Sequence, residues 1–415
     1  MRIAAQKAGH RRVKIKLLSL MTEGTTSIVI PVKNRPELIR ETLRSVQAQT
    51  YPRWEAVVVD DRSTDDTRDA VASVAAEDDR IRLLQRPEGK GGAPVCRNLG
   101  WRNATGDYII FLDSDDLLAP NCLEGRVQYM QEHPEVDFAV FGARFFDQEP
   151  GDREDVFNVP TQQNPLDRFL KLDIPWATPG PIYRRSAVQE IGGWNEELSC
   201  GQDVDYGVRS LCHDLRYRHT GKVDHYIRMG APDRESLGQD PWAPEQLPMR
   251  QKRVEATYNV LVETNVLTEQ RKRKVAGNFL HLAECWAEHG RTGRARATWR
   301  TCRKLNLIPE PVSVFIDRYL KCYSSLWGRY MVYAMYVWFH DYLFVSGFCI
   351  GKDPDEGSKE PSDFPLNDSR SPYFRHALIL INGPVGYTMR RLLSSLGLMS
   401  PARTLVRAFH KGVHS

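Results

Sequence analysis

With 415 residues, 41% of them hydrophobic and 27% charged, the chain can bury a sizeable core and still carry an appendage, and its composition is that of a soluble globular protein. A formal net charge of +4, with both signs mixed through the first two-thirds and no basic stripe or recognisable module, excludes a nucleic-acid binder. The basic excess lies at the ends: before Glu23 and after Asp368 every charged side chain is Lys or Arg. Such ends either lean on an anionic membrane surface or stand as solvated tails. The eight cysteines show no C-x-x-C and no histidine at metal spacing, so they read as reduced thiols of a cytoplasmic protein. No signal-peptide core precedes the first strand, and Met21 stands just ahead of it as an alternative start.

Thr26–Val32 is a short β-branched run that ends at Lys33, Asn34, Arg35 and Pro36, which predicts a buried strand running into a polar loop. Leu38, Ile39, Thr42, Leu43 and Val46 then recur at helical spacing until Tyr51 and Pro52. Trp54–Val59 is a second strand tipped by Asp60 and Asp61, with Ser63, Thr64 and Asp65 as caps for a helix starting near Asp66. A third strand, Ile81–Leu84, leads through the flexible Gly89–Gly92 loop to a helix from Val95 to Ala104 bearing Arg97 and Asn98. The fourth strand, from Tyr108, ends in Asp113, Asp115 and Asp116. Carboxylates so close repel one another, so each finds a partner or a hard divalent ion is shared between them. The alternative is a helix cap, with Asp115 or Asp116 opening a helix near Pro120.

Apolar, non-alternating strands alternating with helices predict a parallel sheet covered on both faces, and ligands in such sheets bind beyond the carboxyl ends of the strands. Asn34–Arg35, Asp60–Asp61 and Asp113–Asp116 all fall on that edge. Val136–Phe141 is a further strand, and Pro160–Pro181, with Trp176, reads as a loop over the sheet edge. Asp203 opens a helical stretch, where capping and general-base catalysis weigh evenly.

In these residues the chain resembles a family 2 glycosyltransferase of the GT-A fold. The segments that carry the likeness are Ile28–Asn34, Val57–Asp65, Arg97–Gly100, Phe111–Asp116, Gly201–Asp205 with Arg209, and His225–Arg228, in order from about Ser27 to Ser236. The resemblance implies an α/β, Rossmann-like, mostly parallel sheet with an α-helical C-terminal extension. It implies an inverting transfer of sugar from a nucleotide-sugar, a UDP-sugar by preference, to a saccharide or lipid-linked saccharide hydroxyl. Under it Pro31, Val32, Asn34, Asp60, Arg97, Asp113 and Ser114 face the nucleotide-sugar. Asp115 holds Mn2+ or Mg2+, with His225 as either a third ligand or a surface histidine. Asp203 is the general base, and Trp176, Gln202 and Asp205 lie toward the acceptor. Gln202 stands where the family more often has an acid, which keeps a hydrogen-bonding group but no charge. Arg228 and Arg234 are either phosphate clamps or solvated side chains.

The expected organisation is a basic leader over 1–24, a catalytic domain over 25–239, a helical extension over 240–350, a flexible linker over 351–372 and a basic amphipathic tail over 373–415. Within the extension Val254, Tyr258 and Leu261 form one apolar stripe, and Val275, Phe279, Leu282 and Trp286 a second, joined to a third helix with Trp299 and Cys302. The apolar stretch Tyr330–Ile350 is interrupted by His340 and Asp341, which favours an interfacial or core helix over a membrane span. The tail either docks peripherally on the cytoplasmic face of a membrane or covers the protein's own core. A non-catalytic nucleotide-binding scaffold is the alternative function. A nucleotidyltransferase is disfavoured, because Lys33–Pro36 is no Gly-rich phosphate loop.

Overall fold

The computed structural model describes residues 24–157, 160–229, 242–322 and 350–351. The basic leader, Arg234, Ser236, the apolar stretch up to 349, the linker and the tail lie outside the described residues. The first half is built as expected: β1 (Thr26–Val32), α1 (Pro36–Gln47), β2 (Trp54–Asp60), α2 (Thr67–Ala75), β3 (Ile81–Gln85), α3 (Ala93–Asn103) and β4 (Tyr108–Phe111). β1 pairs in parallel with β2 and with β4, Thr26 facing Trp54 on one side and Tyr108 on the other, and β2 pairs in parallel with β3. The runs are apolar throughout because alternate residues feed separate cores. Ile28, Ile30, Ala56, Val58 and Ile110 belong to one core, and Val29, Val57, Val59, Ile109 and Phe111 to the other.

Beyond β4 the sheet turns mixed. After β5 (Leu117–Leu118) and α4 (Cys122–Glu132) come β6 (Phe138–Phe146) and β7 (Val156–Phe157). The proline-rich stretch is only partly loop, since α5 (Pro165–Leu170) forms within it. Pro165 sits at its start and the Asn164 side chain caps it, accepting from the Asp167 N–H at 3.3 Å. β8 (Pro181–Arg184), α6 (Arg185–Ile191), α7 (Gln202–Cys212) and β9 (Tyr217–Arg228) follow. β8 runs antiparallel between β4 and β6, while β9 lies parallel to β6 and antiparallel to β5. β5 follows the carboxylate loop directly, so pairing with β9 fixes that loop from beyond the edge. The sheet order is β7-β6-β8-β4-β1-β2-β3, with Ile350–Gly351 (β10) added beside β7.

The extension supplies α8 (Leu247–Glu263), α9 (Glu269–Glu288), α10 (Thr292–Lys304) and α11 (Glu310–Cys322). The α9 stripe of Val275, Phe279, Leu282 and Trp286 is buried, and fully buried Trp299 of α10 donates its indole N–H to the Ser313 carbonyl of α11 at 2.9 Å. These helices share one core with the sheet, running from Phe111 and Trp194 through Leu247 and Val254 to Phe279 and Trp299. Polar ties reinforce it. Asn278 donates to the Leu170 carbonyl at 2.8 Å, and Lys274 and Arg271 reach Asp167 at 2.8 and 3.3 Å. Among the described residues no helix is long and apolar enough to cross a membrane.

Candidate functional site

The loops after β1, β2 and β4 are laced together at the carboxyl edge. Asn34 takes a left-handed conformation (φ 50°), which asparagine tolerates. Its N–H donates to Ser63 Oγ and its Oδ1 accepts from the Thr64 N–H, both at 2.9 Å. Ser63 therefore serves Asn34; α2 has Asp66 at its N-cap without a side-chain cap bond, and Asp65 just before it accepts from the Thr67 N–H at 3.0 Å. Asp61 ion-pairs with Arg86, whose Nη1 collects the carbonyls of Pro87, Gly89 and Lys90, and the other Asp61 oxygen accepts from the Gly92 N–H at 3.0 Å. The Gly-rich loop is thus shaped by an arginine that the chain supplies itself.

The carboxylate loop divides its charges among arginines. Asp115 pairs with Arg35 at 3.1 Å, joining the loops after β4 and β1. Asp113, a third exposed at its side chain (33%), accepts from Arg97 at 2.6 Å. The Arg97 guanidinium also lies 4.3 Å over the Trp194 ring and donates weakly to Gln202 Oε1 at 3.4 Å. Trp194 in turn stacks on Tyr206 of α7 at 4.3 Å, and Asn98 holds Trp194 by its backbone N–H (2.7 Å) and carbonyl (2.8 Å). One arginine therefore couples the strand-end carboxylate to the start of α7. Beside it Asp203 faces a small pocket lined by Trp176, Phe111, Trp194 and Tyr206, and it makes no hydrogen bond or ion pair among the described residues.

Several expected site residues have other work. Asp60 is fully buried, both its oxygens accept from the Ser63 N–H at 3.1 Å, and it shapes the loop without facing solvent. Pro31, Val32 and Ser114 are buried too, framing the edge with backbone. Asp205 is 2% exposed and pairs with Arg209 at 2.9 Å. Residues two apart on a helix point to opposite sides, so Asp203 and Asp205 do not share the acceptor face. Trp176 lines the pocket but is itself nearly buried, edge-on to Phe169 at 5.0 Å. Asp116 caps no helix, for α4 starts only at Cys122 behind Asn121; its carboxylate instead accepts from the Arg228 N–H at 3.1 Å. His225 is not a surface group. It is fully buried, with Nδ1 3.1 Å from Asp224 and 3.2 Å from Arg126, and burial lowers its basicity.

Arg228 and Arg35 carry more than the sequence suggests. Arg228, 6% exposed, donates from Nε to the Asp115 carbonyl at 3.1 Å, pairs with Glu41 and lies 4.4 Å over the Phe146 ring. The signal was an arginine at the end of a strand whose partner lay about a hundred residues upstream, which no local pattern reveals.

An open sheet whose carboxyl edge is lined by arginine-paired carboxylates, with a helix bringing a further carboxylate beside that edge, is a GT-A-type α/β domain. Residues 27–192 match the model of the family described as Glycosyl transferase family 2, and this domain belongs to that family. The chain is similar to the putative teichuronic acid biosynthesis glycosyltransferase TuaG of Bacillus subtilis, 40% identical over 106 residues (26% of this chain, 42% of the relative). It is also similar to the Escherichia coli UDP-Glc:alpha-D-GlcNAc-diphosphoundecaprenol beta-1,3-glucosyltransferase WfgD, 40% identical over 110 residues (26% and 42%). The matches thus span under half the length of these curated relatives. Among solved structures, S. aureus TarS 1-349 in complex with UDP-GlcNAc aligns at 17% identity over 72% of this chain and 91% of that one, with a TM-score of 0.48.

The donor set suits a hard divalent ion. Asp113 and Asp115 offer carboxylate oxygens from one loop, and Mg2+ or Mn2+ is commonly held by one or two carboxylates together with substrate phosphates. Among the described residues no group of three or more His, Cys, Asp or Glu side chains could form a protein-only cage. The guanidinium groups of Arg97 and Arg35 supply the positive charge at these two carboxylates.

Proposed function

We propose that the chain is a metal-dependent, inverting glycosyltransferase that moves a sugar from a UDP-sugar to a hydroxyl of a saccharide or lipid-linked saccharide. Residues 25–239 form its catalytic domain. The observation that carries this reading is Asp203, a carboxylate without a hydrogen-bond or ion-pair partner among the described residues, placed beside the Arg97–Asp113 pair at an aromatic pocket. The relative WfgD, by its printed name, uses a UDP-sugar and a lipid-linked diphospho-acceptor.

Asp113 and Asp115 would hold the divalent ion, which, when bound, offsets the negative charge gathering on the departing nucleoside diphosphate. Arg97 holds Asp113 in place, and Asn34, exposed at the end of β1, lies toward the base. Trp176 and Trp194 line the pocket that Asp203 faces. Asp203 takes the proton of the acceptor hydroxyl as that oxygen attacks the anomeric carbon. Attack from the face opposite the leaving phosphate inverts the anomeric centre. Gln202, partly exposed at the start of α7, donates to the Ser199 carbonyl at 2.9 Å and leaves a neutral contact for the acceptor.

A thermal-shift panel of nucleoside diphosphates and sugar nucleotides, with and without Mn2+, tests the donor side. UDP should raise the melting temperature only with the metal, and Asp115→Ala should remove that gain. Stabilisation that ignores the metal would overturn the metal role. Asp203→Asn should keep nucleotide binding and lose turnover, whereas a fully active variant would remove Asp203 from the mechanism. Binding of nucleotide with neither hydrolysis nor transfer across a wide acceptor panel would favour the scaffold instead.

A further inference from the structure

Helix α7 carries Asp203 in its first turn, yet nothing in its own segment caps it. Gly201 stands at the N-cap with φ 65°, in the left-handed region, and has no side chain to accept from the first N–H groups. What lies there instead is Arg253 of α8. Its stem crosses Gly201 so closely that a Cβ at position 201 would meet Arg253 Cδ at 2.7 Å and Nε at 3.3 Å. The arginine is 4% exposed, and its Nη2 donates to Asn278 Oδ1 of α9 at 3.3 Å. The Asn278 amide nitrogen donates in turn to the Leu170 carbonyl of α5 at 2.8 Å and to the Lys274 carbonyl at 3.0 Å. Further along α7, Gly207 closes on Phe169, the neighbour of Leu170, so the segment that anchors Asn278 also backs the helix. Arg253 is thus braced by two further elements against the turn that presents Asp203.

Charge acts across the same turn. Burial lowers the Arg253 guanidinium to about 10, with Arg250 pushing the same way, while Asp203 foremost, then Cys200 and Asp205, oppose the shift. The side chain therefore stays charged at neutral pH. Of the two carboxylates, Asp205 already pairs with Arg209 at 2.9 Å and points to another side of the helix. Asp203 makes no hydrogen bond or ion pair among the described residues and lines the pocket, so its carboxylate is the one left to respond to Arg253.

We infer that Arg253 is a positioning residue for the transfer step: packed on Gly201 and drawn to Asp203, it fixes the first turn of α7 and the direction in which that carboxylate meets an acceptor hydroxyl. The inference rests on the transferase reading and adds to it a group from the helical extension, outside the residues 27–192 that match the family. The extension is then a working part of the site. A general base acts only over a hydrogen-bond length, so a small swing of the carboxylate is felt in turnover and not in nucleotide binding.

Arg253→Met keeps a stem over Gly201 and removes the charge, whereas Arg253→Lys keeps both. Turnover of the full chain is measured with Mn2+, with UDP-glucose, UDP-galactose and UDP-N-acetylglucosamine as donors and octyl glycosides as acceptors. Arg253→Met should lower kcat by about tenfold or more and leave donor KM and UDP affinity unchanged, and Arg253→Lys should recover most of the loss. A merely structural role would lower the melting temperature without this split. Gly201→Ala, whose Cβ displaces the Arg253 stem at a partly exposed turn, should give the same kcat loss and carries the test if Arg253→Met does not fold. Melting temperatures of Arg253→Met, Asp203→Asn and the double variant close a cycle that needs no turnover: Arg253→Met should be more destabilising in the wild type than in the Asp203→Asn background. Wild-type kcat in Arg253→Met, equal kcat losses in Arg253→Met and Arg253→Lys, or additive melting shifts would overturn the inference. If the wild type transfers no sugar, the transferase reading falls, and the melting cycle alone decides whether Arg253 acts on Asp203.

Discussion

Replacing Arg35 by glutamine should tighten the binding of Mn2+ measured without nucleotide. Arg35 and Asp115 lie 3.1 Å apart with side chains only 15% and 7% exposed, so a divalent ion at Asp115 competes with a guanidinium already there. The bare attraction at that distance is about 5 kcal/mol for an effective dielectric near 20. Most of it offsets lost solvation, and charged hydrogen bonds of this kind contribute about 1.5–3 kcal/mol net. Since about 1.4 kcal/mol is a tenfold change in affinity, Arg35→Gln should bind the metal roughly ten to a hundred times more tightly. The EPR signal of free aquo-Mn2+ during titration reads this directly, and Asp115→Asn in the same background should abolish the gain. Unchanged or weaker metal binding in Arg35→Gln would refute the competition and leave Arg35 a purely structural partner.

Arg97→Lys keeps the charge but loses the stack on Trp194 and the reach to both Asp113 and Gln202; donor KM should rise about tenfold, with stability down by about 1–2 kcal/mol in urea unfolding. Gly207→Ala places a Cβ 2.2 Å from Phe169 Cζ, and because buried Phe169 backs the Trp176 wall, it should cost about 1–3 kcal/mol and raise acceptor KM together. Glu55 sits at the far edge of the sheet. Burial alone would raise its pKa, but hydrogen bonds from Thr105, Ser27 and Arg82 outweigh that and hold it down to about 2. A depressed carboxylate stabilises above its unfolded value and loses that contribution as pH falls toward the folded one. Acid unfolding should therefore weaken the wild type by about 1–2 kcal/mol between pH 5 and pH 2, after discounting for exposure, and Glu55→Gln should flatten that slope.

The parallel half of the sheet was legible because its strands are continuous apolar runs and its helices keep a 3.6-residue stripe; both patterns are local. The edge was legible for the same reason, through the polar residues that end each run. Partners were not. Asp115 reaches Arg35, Asp116 reaches the backbone of Arg228, and Asn34 reaches Thr64, choices settled by which loops the sheet order brings together. His225 looked like a ligand or a surface group because β9, a long strand of mixed polarity, gives no clean alternation, and its burial against Arg126 appears only in the fold. Asp205 differs: the sequence predicts its helix, but positions two apart on a helix point to opposite sides, which turns Asp205 to Arg209 and away from the face of Asp203. The stripes of α8 and α9 were foreseen, whereas the crossing of Arg253 over Gly201 joins segments that share no sequence signal.

That crossing has a bearing on the order in which the protein matures during synthesis. The groups laced together at the carboxyl edge, from Asn34 to Arg228, leave the ribosome before α8 and α9 exist. The start of the helix bearing Asp203 receives its clamp only when Arg253 has emerged and Asn278 has tied α9 to the Leu170 carbonyl. A nascent chain thus completes the carboxylate loop before it completes the start of α7, whose packing waits on translation of a segment beyond residues 27–192.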